Sequence, residues 1–219
     1  MKERKAFVTE TKISMSDPTA LGVFGLSMIT FVAASQKLGW TTGTAFIIPW
    51  AVFLGAIGQI WASLVDFRKN NYFGSIVLGA YGLFWMGVAA HWAISLGWFG
   101  DVGEADPKQL GFAFFGYFIF SLFITVAALE TNKCFAAILV LIDVLLFSLA
   151  MSTWGIAHDL FAKLAAYSEL SISLIGFYAA GAFFLNNFFE RQVLPLGKPL
   201  GLIKKGPVES SKTARKVPA

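Results

Sequence analysis

The chain has 219 residues, of which 57% are hydrophobic and only 14% are charged, and its mean hydropathy is +0.68. This composition excludes an ordinary soluble globular domain and predicts an integral membrane protein. The net charge of +4 reflects basic loops and tails rather than a nucleic-acid partner, and the single cysteine, Cys134, excludes an intrachain disulfide and a cysteine-rich metal site.

Six apolar runs follow one another along the chain, and most reach the roughly 20 residues that a membrane-spanning helix needs. They lie at residues 20–36, 44–65, 73–97, 110–129, 134–157 and 170–189. Charged and turn residues separate them, including those at 158–169 before the last run. A transmembrane β-barrel would show short segments of alternating polarity instead. The sequence therefore predicts an all-α integral membrane protein with six transmembrane helices.

Lys and Arg are distributed unequally between the two ends of these helices. The N-terminal segment, the second and fourth loops and the C-terminal tail carry all of the 17 basic residues except Lys37, Lys108 and Lys163. By the positive-inside rule, both termini should be cytoplasmic. We expect a multi-pass plasma-membrane protein with a cytoplasmic N-terminal segment at 1–16, a six-helix domain at 17–190 and a cytoplasmic tail at 191–219.

The first span begins with an unusual segment, Asp17-Pro18-Thr19-Ala20-Leu21-Gly22. Pro18 suits the first helical position, where a missing N–H is tolerated, and Ser16 or Asp17 is placed to cap the helix. The next backbone N–H groups could then point into the membrane. A helix start of this kind can bind a small anion.

Two sets of polar residues recur at helical spacing, so each set lies on one face of its span. They are Gln59, Ser63 and Asp66 in the second span and Tyr117, Ser121 and Thr125 in the fourth. Each stripe has two interpretations: it lines a pathway, or it forms hydrogen bonds between helices.

Asp143 lies near the middle of the fifth span, where an acidic residue is by default a candidate for function. It could couple a proton or gate a pathway, or it could be a protonated, hydrogen-bonded structural acid. His91 and His158 are separated by two spans, which is too weak a pattern for a metal site. Nothing in the sequence indicates a cofactor.

None of the Lys and Arg residues lies inside the six apolar runs. This excludes a retinal-type Schiff base and predicts that no buried cation clamps an anion. An anionic substrate would instead be held by helix N-termini, hydroxyls, amides and aromatic edges. Weak binding of this kind suits conduction.

Three segments, in this order, resemble the acetate uptake transporter family, the YaaH/SatP group of small six-helix membrane proteins. DPTALGVFG resembles the family signature NPAPLGL. GQIWASLVDFRKNNYFGSIVLGAYGLFW resembles AQxxAGxxExxxxNTFGxTAFxSYGxFW, and FFERQVLPLGKP resembles the Val-Leu-Pro-rich family ending. The separations also match, so the resemblance covers most of the chain.

The resemblance implies uptake or channelling of acetate, and in some members of succinate, by a cyclic hexamer in which each subunit has its own pore. It also implies a constriction, which in this sequence would be Leu26, Tyr81 and Ile142. The other pathway and substrate-binding positions that match are Asp17, Pro18, Leu21, Gly22, Thr30 and Gln59.

Some positions depart from the family pattern. Asp17 replaces the family Asn, Ala20 replaces the second proline, and Leu26 replaces an aromatic residue at the constriction. An acidic Asp17 would repel a carboxylate and compete with it for the same N–H groups. We therefore expect a small monocarboxylate more than succinate as the substrate.

Taken together, these features predict a transporter of acetate, not an enzyme, which works as a channel or as a proton-coupled symporter. Its partners would be small monocarboxylates, protons, the lipid bilayer and further copies of the chain, with no nucleic acid. The alternatives are a passive channel for other small solutes, such as formate or ammonia, and a membrane protein without a transport role.

Overall fold

A computed structural model describes residues 15–203 and residue 206. Within this part of the chain there are six helices long and apolar enough to cross a membrane, and no strand. They are α1 (Thr19–Lys37), α2 (Ile48–Arg68), α3 (Tyr72–Ser95), α4 (Lys108–Ala128), α5 (Lys133–Thr153) and α6 (His158–Phe188). The prediction of an all-α protein with six spans is confirmed. Most of the N-terminal segment 1–16 and most of the tail lie outside the described residues.

The six helices form a closed ring in chain order. α1 packs against α2 and α6, α2 against α3, and α5 against both α4 and α6. Side chains close the ring between α3 and α4. The Tyr81 hydroxyl is 2.8 Å from the Ser121 hydroxyl, and the Tyr117 hydroxyl donates a hydrogen bond to the Ala80 carbonyl at 3.2 Å. Each helix therefore contributes one face to a common interior.

Helix α2 is irregular in its first half. A short α-helical turn, Ile48–Trp50, leads into a π-helical segment, Ala51–Gly58, and the α-helix resumes at Gln59–Arg68. π-Helical turns widen a helix locally and are frequent at functional sites. Here the segment ends one residue before Gln59, whose side-chain Nε2 donates back to the Gly55 carbonyl inside the segment.

Close approach of α1 to its neighbours depends on two glycines. A side chain at Gly25 would collide with the backbone carbonyl of Leu54 in the π-helical segment, and one at Gly176 would collide with the Ser27 hydroxyl. Small residues allow membrane helices to pack closely in this way. The tight packing holds α1 in the ring between α2 and α6.

Helix α6 is longer than the sequence predicts. The residues 158–169, predicted to be a loop, form its first three turns, and the helix begins at His158. Lys163 and Glu169 lower the local hydropathy, so the hydropathy pattern does not reveal this part of the helix. Only a tight turn at Gly155, with φ of 79°, remains between α5 and α6. The extension carries Glu169 into the bundle.

The described part of the tail packs on the bundle. The Leu200 N–H donates to the Leu129 carbonyl at 2.9 Å. The Glu130 carboxylate accepts hydrogen bonds from the backbone N–H groups of Gly201, Leu202 and Ile203 at 3.1, 2.6 and 2.9 Å. This segment is therefore tied to the loop between α4 and α5.

Candidate substrate pathway

The carboxylate of Asp17 binds the first backbone amide of α1. The helix begins at Thr19, one residue later than predicted, and Pro18 occupies the capping position. Asp17 Oδ1 accepts a hydrogen bond from the Thr19 N–H at 2.9 Å, and its Oδ2 lies 4.0 Å from Lys69 Nζ. One of the amides at this helix start is thus already occupied by Asp17.

Two neighbouring positions of this segment face in different directions. The side chain of Leu21 is 46% exposed and lines an external groove with Phe177 and Phe184 of α6. Gly22 faces inward, where Leu78 of α3 lies against it. Leu21 therefore does not line the interior of the ring, because consecutive helical residues are rotated by about 100°.

The three predicted constriction residues are all buried inside the ring. Leu26, Tyr81 and Ile142 are 9%, 4% and 4% exposed and belong to one hydrophobic cluster. They lie on α1, α3 and α5, which are alternate helices of the ring. Thr30 is also buried, and its hydroxyl donates to the Leu26 carbonyl at 2.8 Å. The ring therefore gathers these positions in its interior.

Gln59 carries an unpaired polar atom in the same interior. Its side-chain Nε2 donates to the Gly55 carbonyl at 2.8 Å, whereas its Oε1 has no partner among the described residues. Buried polar atoms normally have a partner. Because the free atom is a carbonyl oxygen, it would accept a hydrogen bond from a donor such as water or a protonated carboxylic acid.

Asp143 belongs to a polar network that spans three helices. Its Oδ2 accepts a hydrogen bond from the Thr125 hydroxyl at 2.7 Å, and the Ser121 hydroxyl lies beside the same carboxyl group. Ser121 is in turn bonded to Tyr81. The polar stripe of α4 is therefore used for hydrogen bonds between helices. Asp143 Oδ1 has no partner within the described part of the chain.

The polar stripe of α2 also packs against a neighbouring helix. The Ser63 hydroxyl donates to the Ser75 carbonyl of α3 at 2.6 Å. Asp66 is buried beside Gly74 in the first turn of α3, where the helix dipole favours a negative charge. Asn71 caps that turn, because its Oδ1 accepts a hydrogen bond from the Gly74 N–H at 3.3 Å. Ser63 and Asp66 therefore contact α3 one and two turns after Gln59 along α2.

A cavity of about 200 Å³ lies at the opposite end of the ring from Asp17 and is called the distal cavity here. Its wall is mostly aromatic and aliphatic, with contributions from α1, α3, α4, α5 and α6. The polar residues that line it are Gln36, Lys37, His91, Thr153 and Glu169. Lys37 Nζ forms an ion pair of 2.7 Å with Glu169 Oε2, and Glu169 is 1% exposed.

The sequence does not predict this ion pair, in which a half-buried Lys37 at the end of α1 meets the buried carboxylate of Glu169. Lys37 and Glu169 each lie at the edge of an apolar run, so hydropathy alone assigns both to loops. The two residues are 132 positions apart, so no local pattern could reveal the pair. The only signal was an acidic residue and a basic residue on the same predicted side of the membrane.

The comparisons with known proteins agree with this architecture. The GPR1/FUN34/yaaH family profile matches residues 4–198. An uncharacterized protein of Methanothermobacter thermautotrophicus is 29% identical over 196 residues, covering 85% of this chain and 95% of that protein. The succinate-acetate/proton symporter SatP of Escherichia coli (strain K12) is 26% identical over 184 residues, covering 84% of this chain and 96% of the symporter.

A solved structure agrees as well. The structure of the bacterial acetate channel SatP superposes on this chain with a TM-score of 0.77 at 26% identity, covering 84% of this chain and 100% of the channel. The family profile matches far more than half of the 219 residues. The chain is a multi-pass membrane protein that belongs to the GPR1/FUN34/yaaH family.

Proposed function

We propose that this protein transports acetate across the membrane, as a channel or together with a proton, without converting it chemically. The observation that carries the proposal is the similarity to the acetate channel, which extends over the whole length of that channel. The match to a succinate-acetate/proton symporter supports small carboxylates as the substrate class.

The proposed pathway runs through the ring from the start of α1 to the distal cavity. Asp17, Pro18 and Gly22 would form its cytoplasmic mouth. Leu26, Tyr81 and Ile142 would form the constriction, since all three are buried on alternate helices of the ring. The apolar side chains exclude water there, and the Tyr81 hydroxyl offers a polar contact to the passing carboxyl group.

Gln59 and Thr30 would replace part of the hydration shell of the substrate. The Thr30 hydroxyl is bonded to its own helix, so Gln59 is the more available partner. Its free Oε1 is an acceptor, and it would bind a protonated carboxylic acid or water but repel a carboxylate. This polarity supports passage of the substrate with a proton.

Asp143 is the proposed proton site. It lies next to Ile142 in sequence and is linked through Ser121 to Tyr81. Its Oδ1 is free to hold a proton that can be donated to a passing carboxylate. The hydrogen bond from Thr125 to Oδ2 keeps the carboxyl group oriented in either protonation state.

The membrane setting follows from the charge distribution and from the resemblance. We place the protein in the plasma membrane with both termini in the cytoplasm, because the basic residues concentrate at that end of the helices. The family resemblance supports assembly as a hexamer with one pore in each subunit. The distal cavity then faces outward.

Uptake of labelled acetate into proteoliposomes tests the function. Purified protein is reconstituted, and uptake is measured with and without an inward proton gradient, against liposomes that lack protein. Unlabelled formate, succinate and an ammonium salt are added as competitors. We expect saturable acetate uptake that excess acetate and formate reduce and that succinate reduces less.

Two results would contradict the proposal. Uptake no greater than in empty liposomes would remove acetate transport altogether. Inhibition by the ammonium salt and not by formate would favour a channel for ammonia. Saturable uptake that ignores the proton gradient would leave the transport of acetate in place and remove proton coupling.

A further inference from the structure

The ion pair between Lys37 and Glu169 supplies two full charges, of opposite sign, to the lining of the distal cavity. Lys37 is the last residue of α1, and its side chain is 22% exposed, whereas the Glu169 side chain is 2% exposed. Lys37 is the only hydrogen-bond partner of the Glu169 carboxylate in the described structure. The charge of each residue thus depends on the other for compensation.

The surroundings of the pair contain one more titratable side chain. His91 of α3 lines the same cavity. The parts of α4 and α5 that face the cavity contribute Leu110, Phe114, Leu145, Leu149 and Thr153, none of which titrates. Removing the charge of Glu169 would therefore leave the half-buried Lys37 ammonium without a compensating charge beside a largely apolar cavity wall, which is unfavourable.

We propose that the Lys37–Glu169 pair is an exchangeable carboxylate-binding site, in which a small substrate carboxylate replaces Glu169 as the partner of Lys37 when Glu169 takes up a proton. This inference rests on the proposed function, because it assumes that a small carboxylate reaches the distal cavity. One proton and one anion enter together, so the net charge of the cavity stays the same. The only covalent change is the O–H bond that forms when Glu169 takes up the proton.

The dimensions and lining of the cavity suit such a ligand. A volume of about 200 Å³ accommodates a small carboxylate and some water, while drug-sized ligands generally need about 300 Å³ or more. Trp85 and Trp92 line the wall and would contact the apolar end of the ligand. Gln36 and Thr153 offer further hydrogen bonds to the carboxylate that Lys37 holds.

The test measures binding rather than transport. Acetate is titrated into the purified full-length protein, and the intrinsic fluorescence of the tryptophans is followed between about pH 5.5 and about pH 8, where ordinary carboxylic acids are mostly ionised. Acetamide, which is uncharged and similar in size, is the ligand control. The variants are Glu169→Gln, Lys37→Gln and His91→Gln, with Glu104→Gln as a matched change of an exposed acid in the loop between α3 and α4.

The wild type should bind acetate more tightly as the pH falls and should not respond to acetamide. Glu169→Gln should bind roughly tenfold more tightly at neutral pH, because a charged hydrogen-bond partner becomes available, and should lose most of the pH dependence. Lys37→Gln should bind roughly tenfold more weakly at the acidic end. His91→Gln and Glu104→Gln should retain the pH dependence of the wild type.

Several results would overturn the proposal. These are an unchanged affinity and pH dependence in Glu169→Gln, loss of the pH dependence in His91→Gln alone, and no acetate response in the wild type. If Glu169→Gln does not fold, the double variant Lys37→Gln with Glu169→Gln replaces it, and a double variant that still binds acetate like the wild type would also refute the site. Because binding is read without flux, a folded wild type that binds but does not transport separates this inference from the proposed function.

Discussion

The hydroxyl groups of Tyr81 on α3 and Ser121 on α4 are 2.8 Å apart in the buried interior. This contact joins the two helices of the ring that meet through side chains, and it also links Tyr81 to the network around Asp143. One residue of the proposed constriction is thus held by the same bonds that orient the proposed proton site. Changes at either residue should therefore affect flux and stability together.

Tyr81→Phe removes this hydroxyl and keeps the ring. We expect acetate uptake to fall several-fold and the free energy of unfolding to fall by about 1 kcal/mol, because the Ser121 hydroxyl loses its partner. Proteoliposome uptake and thermal unfolding in detergent measure the two effects. Tyr167→Phe, at a surface position that is 62% exposed, should change neither, and equal effects of both changes would argue against a role for Tyr81.

Asp143→Asn tests the proton site while keeping an acceptor for the Thr125 hydroxyl. We expect the protein to fold normally and to lose the stimulation of acetate uptake by an inward proton gradient, since an amide does not take up a proton near neutral pH. Uptake at a series of external pH values measures this. Asp159→Asn changes an exposed acid at the start of α6 and serves as the control. A gradient response as large as that of the wild type would exclude Asp143 as the proton site.

Asp17→Asn should increase the rate of acetate uptake. Asparagine can still accept the hydrogen bond from the Thr19 N–H, so the start of α1 should be preserved. A negative charge at the proposed cytoplasmic mouth of the pathway is removed, and we expect about a twofold to threefold gain in uptake at low salt that shrinks at high salt. Asp101→Asn, in an exposed loop at the other end of the bundle, is the matched control. A gain that is the same at every salt concentration would speak against an electrostatic origin.

Gly25→Ala should disrupt the contact between α1 and the π-helical segment of α2. The new methyl group would collide with the Leu54 backbone carbonyl, and we expect a loss of about 1–3 kcal/mol of stability, which is typical of overpacking. Gly87→Ala in α3 is the comparison, because no atom lies within 4 Å of the added methyl group. Thermal unfolding should separate the two variants, and equal melting temperatures would show that α1 can shift without cost.

Glu130→Ala should release the segment that follows α6. Three backbone N–H groups lose their shared acceptor, so hydrogen exchange at residues 201–203 should become much faster. Glu104→Ala, an exposed acid in the loop between α3 and α4, should leave those amides protected. Unchanged exchange in Glu130→Ala would mean that other contacts hold this segment.

The sequence by itself determined the membrane class, the number of spans and the family. Long apolar runs separated by charged residues can satisfy their backbone hydrogen bonds in a bilayer only as helices, and this constraint acts locally. The family-like segments around Asp17, Tyr81 and Gln59 could also be recognised from the sequence alone, because each motif lies within one helix or at one helix start. The ends of the helices are predicted less accurately than their number. The first turns of α6 are predicted as a loop, because their charged residues resemble those of a loop.

Only the tertiary structure decided which polar groups meet. It pairs Lys37 with Glu169, Thr125 with Asp143, and Tyr81 with Ser121, and it directs Leu21 outward although Leu21 matches the family signature. Such pairings depend on the rotation of each helix and on the closure of the ring. The physical reason is that helix formation is governed by neighbours in sequence, whereas a buried charge is stabilised by whichever partner the packing brings to it from a distant part of the chain.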